Sequence, residues 1–521
     1  MPNRSTDALY QLIHSLQKSE KRNFKLYVQR NSSNNDLKVV RLFDAIDKMV
    51  TYDENALISK TASLKKQQLP NIKAHLYKQI LSSLRLLENN ENIDIQLHEQ
   101  IDYARILYNK GLYHQSLKIL ERIKEIARTN NQINFVIEVL MMEKKIETLH
   151  ITRSMQDRAD ALTGEVDLAN LHLVRQTRLS NLALQLYSWY IKNGLARNKN
   201  DEKEVEDYFE AHLTNEIRFP EGFYEKVYYT QSYCWYAFIR QDFLMYYRHT
   251  QKWVDLFSEQ PFMIKIETGN YIKGLHNLLN AHFNLRNYPG FEKTLLILED
   301  FSKSEVVKLN DNNKIQVFVY LYIAKINQHF LDGTFQDGLE MVGEITDQLK
   351  AYELYLDQHR TLVFYYKIAS LYFGAGDYDS AIDYLNKIIN WKVSLRNDLQ
   401  CYARLLHLIA HYELGNFQLL EYLIKSVYRF MAKMQNLSLV EEEIFKFLRN
   451  TFYLSARKLK PEFEKLLNTI KQFESSKFET RAFAYLDIIS WLESKVNDKP
   501  VYEVIREKYL AAKRFRGKTI G

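Results

Sequence analysis

The chain has 521 residues, of which 46% are hydrophobic and 26% charged, and its formal net charge at pH 7 is +7. It contains only 15 Gly and 7 Pro, too few for the turns of a multi-stranded protein of this length, so the composition favours long helices. The two cysteines, Cys234 and Cys401, argue against a disulfide framework or a zinc site and fit a reducing cytoplasm.

Hydropathy and charge also restrict the class of protein. No run approaches 18 apolar residues, so no membrane span is expected, and the N-terminus leads into an amphipathic helix rather than a signal core. Basic residues exceed acidic ones by four in residues 1–30, by six in residues 60–85 and by five in residues 499–518. Such segments are compatible with an acidic partner, although a solvated surface is the simpler explanation.

Residues 1–95 are predicted to form a separate N-terminal helical domain. Apolar spacing predicts a first helix from Ala8 to Leu16, and Ser19 is expected to cap the N-terminus of the second. A polar loop and a third helix follow, and Pro70 is expected to open a longer helix with one apolar face.

The clearest pattern in the rest of the chain is a helical hairpin between Tyr365 and Ile388. Apolar residues recur at three- and four-residue steps on both sides of a break at Gly374 to Asp377, which is typical of a turn between two helices. Ala369 and Ala381 are small residues at positions where the two helix backbones must approach each other closely.

Related hairpins recur along residues 96–498. Their marker is an aromatic residue that opens the second helix just after a polar or glycine turn, at Tyr113, Phe243, Tyr288, Phe335, Tyr378 and Phe417. Another aromatic stands five residues before each marker, at Tyr108, Phe238, Phe283, Phe330, Phe373 and Tyr412. The last five markers are 39–47 residues apart, which predicts a stacked array of hairpins, while the boundaries between residues 114 and 226 stay open. A C-terminal helix and basic tail are predicted for residues 499–521.

The small and aromatic positions of the hairpin, together with Tyr372, Gly376 and Leu385, resemble the tetratricopeptide repeat (TPR) consensus. The repeat is longer than the usual 34 residues and overlaps the range of HEAT repeats. We therefore expect an all-α protein, a TPR-like α-solenoid with lengthened helices after the N-terminal domain. The segment from Lys18 to Tyr27 is similar to the start of uncharacterised bacterial TPR-containing proteins, a likeness that implies no activity.

The sequence carries no recognisable motif for catalysis. The sequence has no phosphate-binding loop, no zinc-protease motif and no nucleophile elbow, so we expect no enzyme activity, cofactor or metal. His407 and His411 lie one helical turn apart and could share a metal ion, but the nearby sequence supplies no third ligand. In the repeat register His411 matches Tyr372, as do His282 and His329, so these histidines are expected to pack inside hairpins.

The TPR resemblance implies that peptides bind on the concave side, along the first helix of each repeat. The register places six residues eight positions before the markers: Arg105, Trp235, Asn280, Asn327, Ser370 and Ile409. By that resemblance Asn280 and Asn327 would hydrogen-bond a peptide backbone, and Lys273 could meet a carboxylate on the same side. The family's full carboxylate-binding set is absent, and scattered surface amides are the simpler interpretation.

The predicted function is therefore a non-catalytic protein-interaction scaffold or adaptor in the cytoplasm, with a protein or peptide partner. The alternative is a nucleic-acid-associated regulator that joins a basic N-terminal domain to a peptide-sensing solenoid. For that alternative Lys78 and Arg85, two turns apart on one helix, are the candidate phosphate contacts. Further basic residues of the same region are Lys60, Lys65, Lys66 and Lys73.

Overall fold

The computed structural model describes residues 7–30, 36–60, 66–88, 92–150, 156–391, 396–451, 454–474, 476–479 and 487–517. Within these ranges every regular element is a helix, which confirms the all-α prediction. The chain divides into two compact units, Met1–Ala169 and Asn170–Gly521. None of the described helices combines the length and the apolar character that crossing a bilayer requires.

The first unit is built from short and medium-length helices. They are α1 (Ala8–Ser15), α2 (Lys18–Arg30), α3 (Asp36–Asp47), α4 (Glu54–Lys60), α5 (Leu69–Glu88), α6 (Ile93–Asn109), α7 (Tyr113–Thr129) and α8 (Ile133–His150), with a 3₁₀ turn at Lys66–Gln68. Helices α1 to α5 surround one hydrophobic cluster, and α6 to α8 pack around another with the start of α9 (Gln156–Asn193). The predicted domain boundaries after residues 95 and 498 stay predictions.

The N-terminal helices follow the predicted apolar pattern, with one correction. Ser19 does not cap α2, because the helix begins one residue earlier, at Lys18. The Glu20 carboxylate accepts a hydrogen bond from the Gln17 backbone N–H at 2.6 Å, and this contact satisfies a free donor at the helix start. Pro70 lies in the first turn of α5 as predicted, where its missing N–H is tolerated.

The second unit continues the all-helical architecture. After α9 its helices are α10 (Lys199–His212), α11 (Phe223–Ile239), α12 (Phe243–Glu259), α13 (Met263–Ile266), α14 (Thr268–Asn284), α15 (Tyr288–Ser302), α16 (Glu305–Lys308), α17 (Asp311–Asp332), α18 (Phe335–Leu339), α19 (Val342–Ala351), α20 (Gln358–Ala375), α21 (Tyr378–Ile389), α22 (Asn397–Glu413), α23 (Phe417–Lys433), α24 (Leu439–Thr451), α25 (Ala456–Gln472), α26 (Ile488–Asn497) and α27 (Val501–Gly517). A 3₁₀ turn lies at Asn215–Ile217.

The six marker aromatics are confirmed as helix starts. Each is the first residue of its helix: Tyr113 of α7, Phe243 of α12, Tyr288 of α15, Phe335 of α18, Tyr378 of α21 and Phe417 of α23. In five of the hairpins the marker ring also lies 5.3–6.2 Å, centroid to centroid, from the aromatic ring five residues earlier. In these five hairpins the two rings pack together across the turn.

A backbone feature explains why the markers stand where they do. Two residues before each marker the chain has a positive φ of 49–87°, at Gly111, Gln241, Arg286, Gly333, Gly376 and Gly415. A left-handed residue ends the first helix and redirects the chain into the second. Glycine adopts this conformation freely, whereas Gln241 and Arg286 adopt it although their side chains disfavour it.

Neighbouring hairpins of the second unit pack against each other. The first helices form a row in which α14 contacts α17, α17 contacts α20 and α20 contacts α22, while each second helix also contacts the following first helix. Ala369 and Ala381 are fully buried within the α20–α21 hairpin. A Cβ on Gly374 of α20 would overlap the ring of Phe335, so this glycine allows α18 to pack closely on the next hairpin.

The C-terminal helices return to much earlier hairpins. Helix α27 contacts α17 and α20, and the Arg506 guanidinium donates to the Asp332 carbonyl at the end of α17, at 3.1 Å. On α26, the Trp491 indole N–H donates to the Glu413 carboxylate at the end of α22, at 2.6 Å. An open repeat array has contacts only between neighbouring repeats, so these long-range contacts distinguish the second unit from such an array.

Candidate functional site

One cavity in the second unit lies against the first helices of the hairpins. Its volume is about 530 Å³, and we call it the central cavity. Helices α11, α14, α17 and α20 each contribute side chains to its wall, α9 contributes on one side, and α26 and α27 contribute from the C-terminal segment. A volume of this size is typical of sites that enclose a small molecule or a few side chains.

The three residues predicted to bind peptide all line the central cavity. Lys273 and Asn280 lie on α14, and Asn327 lies on α17. Trp235 and Ser370, which occupy the same register position in their hairpins, line it as well. Helices of equal register packed side by side bring equivalent positions to one surface, which is why residues about 45 positions apart in the chain meet here.

The other two residues of that register are placed elsewhere. Arg105 lies in the first unit, where its exposed guanidinium pairs with Glu138 at 2.5 Å. Ile409 is fully buried in α22 and belongs to the hydrophobic core around it. The register therefore defines a shared lining position only for the four consecutive hairpins from α11 to α21.

Hydrogen bonds orient the two cavity asparagines. The Asn280 Nδ2 group lies 3.0 Å from His276 Nε2, and the Lys367 ammonium donates to Asn327 Oδ1 at 2.5 Å. Each amide thus has one end engaged by a neighbour. Among the described residues no bond uses Asn280 Oδ1 or Asn327 Nδ2, so each amide keeps one polar end for a ligand.

The cavity perturbs the titration of its basic groups. Burial lowers the pKa of Lys367 to about 8 and that of His276 to about 3. Burial also lowers the pKa of Lys273, and the positive charge of Arg360 contributes in the same direction. The ammonium of Lys273 lies over the rings of Tyr187 and Trp235, 4.8 and 5.6 Å from their centroids. Strongly perturbed groups in a cavity are a frequent mark of a binding or reactive site.

Sequence reasoning missed much of the cavity wall. Lys367 could have been found, because it lies three residues before Ser370 and so on the same helix face. Trp491 and Lys508 had no comparable signal, because they come from helices outside the repeat register and reach the cavity only through the return of α26 and α27.

The predicted packing histidines are bonded within their own hairpins. His282 Nδ1 meets Asn287 at 3.1 Å, His329 Nδ1 meets Thr334 at 2.8 Å and His411 Nδ1 meets Asn416 at 3.0 Å. Each partner is the residue just before a marker aromatic, so the histidine connects the end of one helix to the start of the next. Across the part of the chain that the structure describes, no group of three or more His, Cys, Asp or Glu residues could hold a metal ion.

The candidate phosphate contacts of the first unit have different surroundings. Lys78 is exposed on α5, whereas the Arg85 guanidinium lies 3.6 Å from the Asp102 carboxylate. Lys73 is half-buried, and its ammonium is engaged by Asp7 and by the Tyr52 hydroxyl. Of the remaining basic residues, Lys65 lies outside the described residues, and so do the side chains of Lys60 and Lys66.

No protein-family model matches the chain, and no curated protein has significant similarity to it. The TPR resemblance therefore depends on the residues quoted above.

Proposed function

We propose that the chain is a non-catalytic binding protein, a cytoplasmic scaffold or adaptor that holds a peptide or a segment of a partner protein in the central cavity. The proposal depends on one observation. Lys273, Asn280 and Asn327, chosen from a register along the sequence, line the same cavity on successive first helices. Their side chains carry hydrogen-bonding groups that suit the backbone of a peptide and any acidic groups that the peptide carries.

The hairpin packing supports the further proposal that α11 to α23 form a TPR-like solenoid. Each hairpin has an apolar face that it cannot bury alone, and its neighbours cover that face in the row of first helices. Such a row presents equivalent positions at regular steps along one surface. An extended segment can then contact a similar side chain on each helix that it crosses.

The C-terminal helices restrict what can bind. Helices α26 and α27 line the central cavity together with the first helices and so occupy part of the surface along them. We therefore propose that the bound segment is short, with a few side chains inside the cavity and the rest of the partner outside it.

The test compares the partners captured by wild-type chain and by the double variant Asn280→Ala/Asn327→Ala, immobilised as full chains and identified by quantitative mass spectrometry. We expect the variant to lose at least one partner that the wild type enriches, because both amides that face the cavity are gone. Circular dichroism verifies that helicity is unchanged.

The matched control is Asn386→Ala, which removes an amide from the second helix α21, outside the cavity wall. This control should capture the same partners as the wild type. Equal capture by the wild type and the double variant would contradict the proposal.

A further inference from the structure

The positive charge in the central cavity is only partly balanced by the protein itself. Six Lys and Arg side chains line the cavity, and four of them have a carboxylate partner. The four pairs are Arg286 with Asp487 at 3.6 Å, Arg360 with Asp357 at 2.5 Å, Arg396 with Asp398 at 2.8 Å and Lys508 with Glu493 at 2.7 Å. The two histidines of the wall, His276 and His359, have pKa values lowered by burial to about 3 and about 4, so they are neutral at pH 7.

Lys273 and Lys367 are the two cations without such a partner. Within the described ranges, no carboxylate oxygen lies within 4.0 Å of the Nζ atom of either lysine. Lys367 donates to a neutral amide oxygen, that of Asn327, and Lys273 lies over two aromatic rings. A charge removed from water without a counter-ion is costly, so two such charges in one cavity favour an anion that enters it.

Both lysines line the same cavity as His276, and the charges of both affect its titration. The positive charges of Lys367, Arg360 and Lys273 all add to the effect of burial in lowering the pKa of His276. His276 Nε2 accepts the Asn280 amide hydrogen bond, and its ring stacks on Tyr320 with centroids 4.2 Å apart. The hydrogen bond and the stacking contact therefore hold the neutral ring in the cavity wall, on the same helix as Lys273.

Aromatic side chains form the wall next to these cations. The ring of Trp235 lies 4.7 Å from that of Tyr187 and 5.7 Å from that of Tyr190, and Tyr190 is in turn 5.3 Å from Phe238. All four residues line the central cavity. Such a wall can accept a planar apolar group by stacking or edge contacts.

We infer that the central cavity binds an organic phosphate, with the phosphate between Lys273 and Lys367 and the organic part against the aromatic wall. A phosphate monoester carries a charge of about −1.5 to −2 at pH 7, which matches the two unbalanced ammonium charges, whereas a carboxylate would balance only one. This inference rests on the proposed function, since it names the chemistry of the group that the cavity receives. The phosphate can belong to a free small molecule or to a phosphorylated side chain of the bound segment.

The experiment is isothermal titration calorimetry of the full chain at pH 7.5 and low salt. The probes are phenyl phosphate as an aromatic dianion, benzoate as an aromatic monoanion, inorganic phosphate as the dianion alone and benzyl alcohol as a neutral analogue. We expect phenyl phosphate to bind at least tenfold more tightly than either benzoate or inorganic phosphate, and benzyl alcohol not to bind. Phenyl phosphate affinity no higher than that of benzoate would overturn the inference.

Substitutions of the two lysines test whether phenyl phosphate binds beside them. In Lys273→Met/Lys367→Met we expect at least a tenfold loss of phenyl phosphate affinity, and Lys273→Met alone is the second variant if the double one fails to fold. Lys252→Met, which removes an exposed lysine from α12, is the matched control and should bind as the wild type does. Unchanged affinity in both cavity variants would overturn the assignment.

A short phosphotyrosine peptide and its unphosphorylated form distinguish the two sources of phosphate. Tighter binding of the phosphopeptide than of phenyl phosphate assigns the site to a phosphorylated segment, and weaker binding assigns it to a free small molecule. The experiments distinguish an error in the phosphate inference from an error in the proposed function. If phenyl phosphate does not bind but Asn280→Ala/Asn327→Ala loses its captured partner, only the phosphate chemistry is wrong.

Discussion

Replacement of Lys367 by methionine should stabilise the protein at neutral pH, although it removes a hydrogen bond. Burial lowers the pKa of Lys367 from 10.5 to about 8. Because each tenfold change in proton affinity corresponds to about 1.4 kcal/mol, keeping this ammonium charged inside the fold costs about 3 kcal/mol at pH 7. Loss of the hydrogen bond that the charged ammonium donates to Asn327 removes about 1.5 kcal/mol, so the expected net gain for Lys367→Met is about 1.5 kcal/mol.

The stability gained by Lys367→Met should also decrease as the pH rises. Between pH 8 and 10.5 the unfolded chain binds the Lys367 proton and the folded chain has lost it, so the stability of the wild type rises with pH in this window. The advantage of the methionine variant should therefore be fully present at pH 7 and fade as the pH approaches 10.

Urea denaturation of the wild type, Lys367→Met and the exposed control Lys252→Met at pH 7.0 and pH 9.5 measures both effects. The control should change the free energy of unfolding by less than about 0.5 kcal/mol at either pH. A Lys367→Met variant less stable than the wild type at pH 7, or a gain equal at both pH values, would refute the reasoning that this charge is unbalanced.

Three further predictions concern the hairpins and the alternative function. Ala369→Leu should overpack the α20–α21 interface and lower the free energy of unfolding by about 1–3 kcal/mol in urea denaturation, and an unchanged midpoint would contradict the hairpin packing. Gly374→Ala should also destabilise, because its Cβ overlaps a ring, whereas Gly343→Ala, with open space around its Cβ, should not lower the melting temperature. If the first unit binds duplex DNA, binding should fall steeply with salt and weaken in Lys78→Gln/Arg85→Gln; no signal in a low-salt titration would exclude this alternative.

The hairpin starts could be predicted from the sequence because they depend on local chemistry. A marker aromatic such as Tyr378 follows a left-handed residue such as Gly376, and both signals lie within three residues of each other. The same conformation at Arg286 could not be predicted, since a residue with a side chain adopts it only when the surrounding packing compensates.

Part of the central cavity could also be predicted, because Asn280 and Asn327 repeat at one register position of packed helices. The wall formed by Trp491 and Lys508 could not, since it depends on contacts between segments more than 100 residues apart. The position of Pro461 shows a local limit as well. A proline is best tolerated in the first turn of a helix because it lacks an N–H, yet Pro461 lies inside α25, which begins five residues earlier at Ala456.

Amide hydrogen exchange of the full chain, with and without a partner captured by the wild type, tests the central cavity most directly. We expect the partner to slow exchange in α14, α17 and α20, the helices that carry Asn280, Asn327 and Lys367, and to leave α2 and α5 unchanged. Protection confined to residues 7–88, with no change in α14, α17 or α20, would contradict binding in this cavity.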